Sequence, residues 1–428
     1  MYRRPIGEIL LARLKEAPRR IQILAGPRQV GKTTLIRDLL SERDSASASY
    51  LSPEPGDDSL ALADSRISGA DIAPPQSPQA NSAWLIDRWQ RADADARAWH
   101  ARQAILDGES PTPYVLVIDE IQKIPNWSEA VKGLWDVNLR ATAPMHVVLL
   151  GSSPLLMQKG LSESLAGRFE LIRATHWSFE EMNDAFGWTL DQYLYFGGYP
   201  GSHYFLADEL RWRNYVRDAL IRPSIDKDVR DMARVDQPAL LQQLFEVGCR
   251  YSGQIVALDK VLGVLKSKGN TVTLARYLEL LDRAGLLRGM HKFSDHEVRR
   301  RRSPPKFNVL NTALMSALGA HSFSEARADR SYWGRLVESA VGAYLCNAAD
   351  ASMAVHYWRE GPLEVDFVVG NGKKLLAIEV KSGDASGPKL GLEEFQRRHR
   401  GSRCVVVGGD EYPVGEFLRQ PISHWFER

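Results

Sequence analysis

An apolar run, residues 21–24, leads straight into AGPRQVGKTTLIRDLL (residues 25–40), and no other stretch restricts the fold so tightly. Gly26, Gly31, Lys32 and Thr33 satisfy G-x-x-x-x-G-K-[ST]. The glycines let the backbone of Pro27, Arg28, Gln29 and Val30 arch around an anion, with N–H groups turned inward to phosphate oxygens. Lys32 then reaches the β- and γ-phosphates of a nucleotide, the Thr33 hydroxyl ligates Mg²⁺, and Thr34 opens a helix beside them. Leu35, Ile36, Leu39 and Leu40 form the buried stripe of that helix, whose positive N-terminus faces the same phosphates. A glycine-rich turn that binds nothing is the bland alternative, and the strand–loop–helix setting argues against it.

A second apolar strand, in YVLVIDEIQKI, ends in Asp119-Glu120. A wholly apolar strand suits a parallel sheet covered on both faces. Asp119 is placed to hold Mg²⁺ through water and Glu120 to polarise the attacking water as general base. HVVLLGSSPLL supplies a third strand, after which Ser152 and Ser153 are candidates to touch the γ-phosphate or the water. In SLAGRFELI, Arg168 reads in two ways: a finger reaching a neighbouring subunit's nucleotide, or a surface ion pair.

The chain has 428 residues, enough for two or three domains. Its net charge of +2 means that attraction to nucleic acid must come from local patches. Cys249, Cys346 and Cys404 are far apart, which argues against a disulfide framework or zinc site and fits a reducing cytosol. Charges interrupt the apolar residues of the N-terminal MYRRPIGEILLARLKE, so it reads as an amphipathic helix and not as a signal peptide. No apolar run reaches about 18 residues, so no membrane span is expected.

With GPRQVGKTT, VLVIDEIQ, LLGSS, SLAGRFEL and FGGYPG in order, the chain resembles the AAA-type P-loop ATPases of bacteria and archaea that continue into a domain of unknown function. The resemblance implies an α/β fold with a P-loop ATPase parallel sheet over residues 1–175, ATP hydrolysis with Mg²⁺, and a homo-oligomeric ring completed by Arg168. A helical lid is expected over 176–235. Between the first two motifs the chain departs from the family: beyond a second strand near residues 49–51, the Ser-, Ala-, Asp- and Pro-rich stretch reads as a long loop, part of an insertion around 52–110.

Residues 236–315 have the plan of a winged helix-turn-helix. Asp259 is expected to cap one short helix and Thr273 a second, Gly285 to end it, and a hairpin to follow over 286–293 and 306–310. Arg276 lies on the outward face of the second helix, and Arg299, Arg300, Arg301 and Arg302 stand at the wing tip. Nine cationic residues against four acidic ones within 270–310 suit phosphate contacts and hence DNA; a protein-contact module or a solvated loop is the alternative.

Residues 316–428 read as α-β-β-β-α-β, with Asn371-Gly372 as a hairpin turn. Asp366 and Glu379 share a face of that hairpin, Lys381 alternates onto it, and Glu338 joins from the preceding helix. The set resembles the PD-(D/E)xK nuclease-like fold, which implies a second metal site at Glu338, Asp366 and Glu379 beside Lys381. Three functions fit the whole: an ATP-hydrolysing motor or remodelling enzyme on DNA, branched DNA included; an ATP-gated metal-dependent nuclease; or a regulatory switch that binds a protein partner.

Overall fold

The computed structural model describes residues 2–53, 80–106, 112–151, 164–229, 235–266, 269–294, 303–383 and 389–427. Two compact units divide the chain, residues 1–174 and 175–428. Ser152, Ser153 and Arg299 to Arg302 lie outside the described residues.

The first unit is built on five parallel strands: β1 (Ile21–Ala25), β2 (Ala48–Leu51), β3 (Val115–Ile118), β4 (His146–Gly151) and β5 (Phe169–Arg173). Their order is β2-β3-β4-β1-β5, so β4 lies between the strand leading into the phosphate loop and the strand ending in Asp119. Every residue of β1, β3 and β4 is buried, as their largely apolar character requires when both sheet faces are covered; Gln22 and His146 are the polar exceptions. Residues Leu10 and Leu14 of helix α1 (Pro5–Leu14) and Ile36, Leu39 and Leu40 of α2 (Lys32–Ser41) meet Val115, Val117 and Val148 on one face. On the other, Ile21, Ile23, Leu116, Ile118, Val147 and Leu149 pack with Trp89 and Trp99 of α3 (Ser82–Leu106) and Trp135 of α4 (Trp127–Asn138).

Most of the stretch read as a long loop, residues 54–79, lies outside the described residues; the later part of the insertion around 52–110 holds helix α3, which joins the core. Leu85, Trp89, Ala92, Ala96 and Trp99 recur at helical spacing and are buried, a stripe hidden among arginines and aspartates that still shields the sheet. No helix among the described residues is long and apolar enough to cross a membrane.

The second unit begins with α5 (Phe179–Phe186) and α6 (Leu190–Phe196), each opened by a capping box, Ser178 with Glu181 and Thr189 with Gln192. Helix α7 (Glu209–Asn214) runs on into a π-helical stretch, Tyr215–Ile221. Then come α8 (Pro238–Arg250), α9 (Leu258–Val264), α10 (Thr271–Arg283) and the antiparallel pair β6 (Leu287–Met290) and β7 (Lys306–Val309). The two helices and hairpin stand where the sequence put them, but their caps differ. Asn270, not Thr273, caps α10, because its Oδ1 accepts from the Thr273 N–H at 2.8 Å and so makes Thr273 the third helical residue. Asp259 lies in the first turn of α9, behind Ala257. Gly285 ends α10 with φ of +75°, as expected.

After α11 (Thr312–Leu318) and α12 (Phe323–Ala328), helix α13 (Arg330–Ala348) precedes β8 (Met353–Glu360), β9 (Leu363–Asn371) and β10 (Lys374–Val380), then α14 (Leu390–Arg398) and β11 (Arg403–Val407). Sheet order is β11-β10-β9-β8, with β10 and β11 parallel and the other pairs antiparallel. Asn371 pairs with Lys374, so the turn residues are Gly372 and Lys373, one place later than read from the sequence.

Candidate functional site

The phosphate loop leaves β1 where only glycine fits. A Cβ on Gly26 would stand 1.8 Å from the Ala174 carbonyl oxygen. Gly31 takes φ of +82°, a left-handed turn open to glycine, and Lys32 starts α2 directly after it. Lys32 is buried, and its Nζ donates to the carbonyls of Gly26 (2.9 Å) and Pro27 (2.8 Å), spanning the concave side of the arch. Pro27 and Arg28 are half-buried, Val30 is buried, and Gln29 and Thr34 are exposed.

Across the sheet, Asp119 is buried at the end of β3. Its Oδ2 accepts from Thr33 Oγ1 at 2.7 Å and from the Tyr50 hydroxyl at 2.5 Å, and its Oδ1 from the Glu120 N–H at 2.8 Å. A threonine hydroxyl beside a carboxylate is the hard-oxygen pair that Mg²⁺ takes, so Thr33 and Asp119 fit that ion. Glu120 adopts the left-handed conformation, φ of +47°, uncommon for a residue with a side chain and costing about 1–3 kcal/mol. Its carboxylate accepts from Gln122 Nε2 at 2.7 Å and faces Lys123 Nζ at 3.7 Å.

Arg168, in the turn before β5, is engaged within its own chain: Nε and Nη2 donate to the two oxygens of Asp136 in α4, at 2.8 and 3.0 Å. The guanidinium holds the Asp136 carboxyl below its ordinary range.

In the second unit, Arg276 and Arg283 are exposed on α10. Three of the other cations counted for this segment are committed internally. Arg288 pairs with Asp282 at 2.8 Å, Lys292 with Glu360 at 2.8 Å, and Lys306 is wholly buried. The excess of positive charge in the sequence therefore overstates what the described surface presents.

The structure does bring the four residues of the proposed second metal site together. Ile378 opposite Phe367 sets Glu379 beside Asp366, and Glu338 approaches from α13. Lys381 Nζ pairs with Glu379 at 2.8 Å, and Asp366 Oδ2 accepts the Val380 N–H at 2.8 Å. The cation between Glu338 and Asp366, however, is Lys306, 2.5 Å from Glu338 Oε1 and 3.2 Å from Asp366 Oδ1. Burial pushes Glu338 up to about 7 even though Lys306 opposes it, and burial and Asp366 raise Glu379. Burial works against the Lys306 ammonium, but Asp366 and Glu338 outweigh it and hold it above the ordinary lysine value. The residues present therefore do not fit a divalent ion. Among the described residues no group of three or more His, Cys, Asp or Glu is arranged to hold a metal.

Three contributors escaped the sequence reading. Arg4 is buried and donates to the Val30 carbonyl at 3.1 Å, bracing the loop from the N-terminal segment. Tyr50, on β2, orients Asp119, and Lys306 lies in a segment counted only for its charge. None belongs to a local motif.

Residues 18–183 match a family described as an AAA domain. Residues 187–325 and 333–425 match two families described as domains of unknown function, DUF8612 and DUF4143. Uncharacterized proteins of Mycobacterium bovis and Mycobacterium tuberculosis are each 25% identical over 380 residues, which is 86% of this chain and 72% of theirs. One of Haemophilus influenzae is 24% identical over 276 residues, 62% of this chain and 64% of its own. Among solved structures, the Walker-type ATPase of Pyrococcus abyssi is similar at 15% identity and a TM-score of 0.47, covering 74% of this chain and 95% of that one. The phosphate loop and the carboxylates after β3 both lie within residues 18–183, the part of the chain that is similar to the AAA-domain family.

Proposed function

We propose that the chain is a self-associating ATP hydrolase whose turnover drives movement or remodelling of DNA, branched DNA included. One observation carries the hydrolytic part: Thr33 and Asp119, from opposite ends of the motif pair, meet at 2.7 Å beside the buried Lys32. Gly26 to Thr34 would cradle the triphosphate, with Thr33 and Asp119 holding Mg²⁺. That ion, when bound, would supply positive charge against the phosphate oxygens. Glu120 would accept a proton from the attacking water, and Arg168, once released from Asp136, would complete the site of a neighbouring copy. Ser152 is a further candidate contact for the γ-phosphate.

For DNA, the support is the helix–turn–helix with its hairpin, the exposed Arg276 and Arg283 on α10, and the run Arg299 to Arg302 in the sequence. The test is ATP turnover with Mg²⁺ and with no DNA, single-stranded, duplex or branched DNA. Stimulation by one of these supports the reading, and it should fade when Arg299 to Arg302 become Ala. A basal ATPase that ignores all three and shows no DNA binding at low salt removes the DNA part.

A second reading, an ATP-dependent switch that grips a protein partner, is favoured by the internal pairing of Arg288, Lys292 and Lys306. Retention of a protein partner with ATP but not ADP, together with indifference to DNA, would select it.

A further inference from the structure

The acidic cluster of the second unit carries its own cation. Glu338 from α13, Glu364 and Asp366 from β9, and Glu379 from β10 converge over the two central strands of the mixed sheet. Lys306, the first residue of β7, enters from the hairpin with no exposed side-chain surface. Its Nζ lies 2.5 Å from Glu338 Oε1, 3.2 Å from Asp366 Oδ1 and 3.8 Å from Glu364 Oε1. It also donates to the Asp366 carbonyl at 3.2 Å and stands 4.9 Å over the Phe367 ring. The ammonium thus has anionic, neutral and aromatic partners at once, which is how a buried lysine stays charged.

A divalent ion bound by Glu338 and Asp366 would need their oxygens at about 2.0–2.6 Å. That space holds an ammonium already within hydrogen-bonding distance of both carboxylates. Two cations this close in a buried site repel strongly. Lys306 cannot swing into solvent without unpacking the start of β7. Glu379 has its own cation in Lys381. Lys306 lies in the span of one matched family, 187–325, and the carboxylates in the span of the next, 333–425, so the ion cluster also ties those two spans together.

We propose that Lys306 permanently replaces a divalent cation in this cluster, so that the C-terminal module works without metal and without cutting DNA, as a joint between the hairpin and the mixed sheet. The inference rests on nothing at the nucleotide site and survives if the ATPase reading fails.

The test is Mn²⁺ uptake by the full chain, measured calorimetrically for wild type, Asp366→Asn, Lys306→Met and the double variant, with Mn²⁺-dependent DNA cleavage followed in parallel. Any uptake at the phosphate loop is common to all four. Wild type and Asp366→Asn should take up equal Mn²⁺ and leave DNA intact. Lys306→Met should gain one equivalent, which the double variant loses again. Loss of one equivalent or of cleavage on going from wild type to Asp366→Asn would overturn the proposal, and that comparison stands even if Lys306→Met does not fold. A folded Lys306→Met that gains no Mn²⁺ overturns it as well, because the ammonium would then not occupy a metal's place.

Discussion

The Thr33 hydroxyl donates to the Asp119 carboxylate across 2.7 Å, so the first turn of α2 and the end of β3 are joined although 86 residues separate them. The Tyr50 hydroxyl holds the same oxygen. Both oxygens that would face Mg²⁺ are therefore positioned by protein contacts before any nucleotide arrives.

Separate roles for Lys32 and Glu120 give separable defects. Lys32→Ala should weaken ATP binding about 10- to 100-fold, the worth of one or two charge-assisted hydrogen bonds. Glu120→Gln should keep the affinity and lose about 10²–10⁴ in turnover, the range for a missing general base. Fluorescent-nucleotide titration beside steady-state phosphate release distinguishes them. Equal loss of binding in both variants would remove the assignment of Glu120 as base.

Gly26 cannot tolerate a side chain. Gly26→Ala places a methyl 1.8 Å from the Ala174 oxygen, and relief by backbone shift costs about 1–3 kcal/mol or more. Thermal unfolding should show a lower midpoint, with nucleotide affinity falling too. Gly133→Ala, inside α4 with nothing within 4 Å of the added carbon, is the control: it should leave nucleotide affinity unchanged and hold or slightly raise the midpoint.

His146 makes the first unit sensitive to acid. It is buried at the start of β4, its Nε2 3.1 Å from the Glu16 carbonyl, and burial lowers its pKa to about 4. The folded state binds that proton less readily than the unfolded chain, whose value is near 6.5. Stability from this residue is complete above about pH 6.5 and is lost as pH falls through about 4, by about 3 kcal/mol in all. Urea unfolding at several pH values should show this slope, and His146→Gln should flatten it between those limits.

Arg168 distinguishes an ion pair from a catalytic arginine by magnitude. If it only pairs with Asp136, a solvent-screened surface contact, Arg168→Ala and Asp136→Asn should alter the unfolding midpoint slightly and alike, and leave turnover intact. If it serves a neighbouring copy, Arg168→Ala alone should cost about 10³–10⁵ in turnover. Phosphate release at several protein concentrations decides between them.

What the sequence disclosed follows the range of the physics involved. Strands β1, β3 and β4 were legible because burial on both faces demands consecutive apolar residues, and Gly26 to Thr33 because backbone geometry and charge are specified within eight positions. Helix α3 was hidden because its buried tryptophans sit in a charged, alanine-rich stretch next to a Pro- and Ser-rich one. The Asn270 cap was missed because Asn270 and Thr273 are both good capping residues three positions apart, and only the observed bond chooses. Pairings such as Lys306 with Glu338 and Asp366, Tyr50 with Asp119, and Arg4 with Val30 were invisible, since side chains tens of residues apart leave no local pattern. Counting Lys306 as surface charge was the direct result.

The carbonyl that excludes a side chain at Gly26 belongs to Ala174, the last residue of the first unit, and the next peptide begins the second. The Ala174 N–H is itself tied to the Ala25 carbonyl at 2.9 Å. The entry to the phosphate loop is therefore clasped by main-chain atoms of Ala174 on that side, so the clasp itself is indifferent to which side chain residue 174 carries.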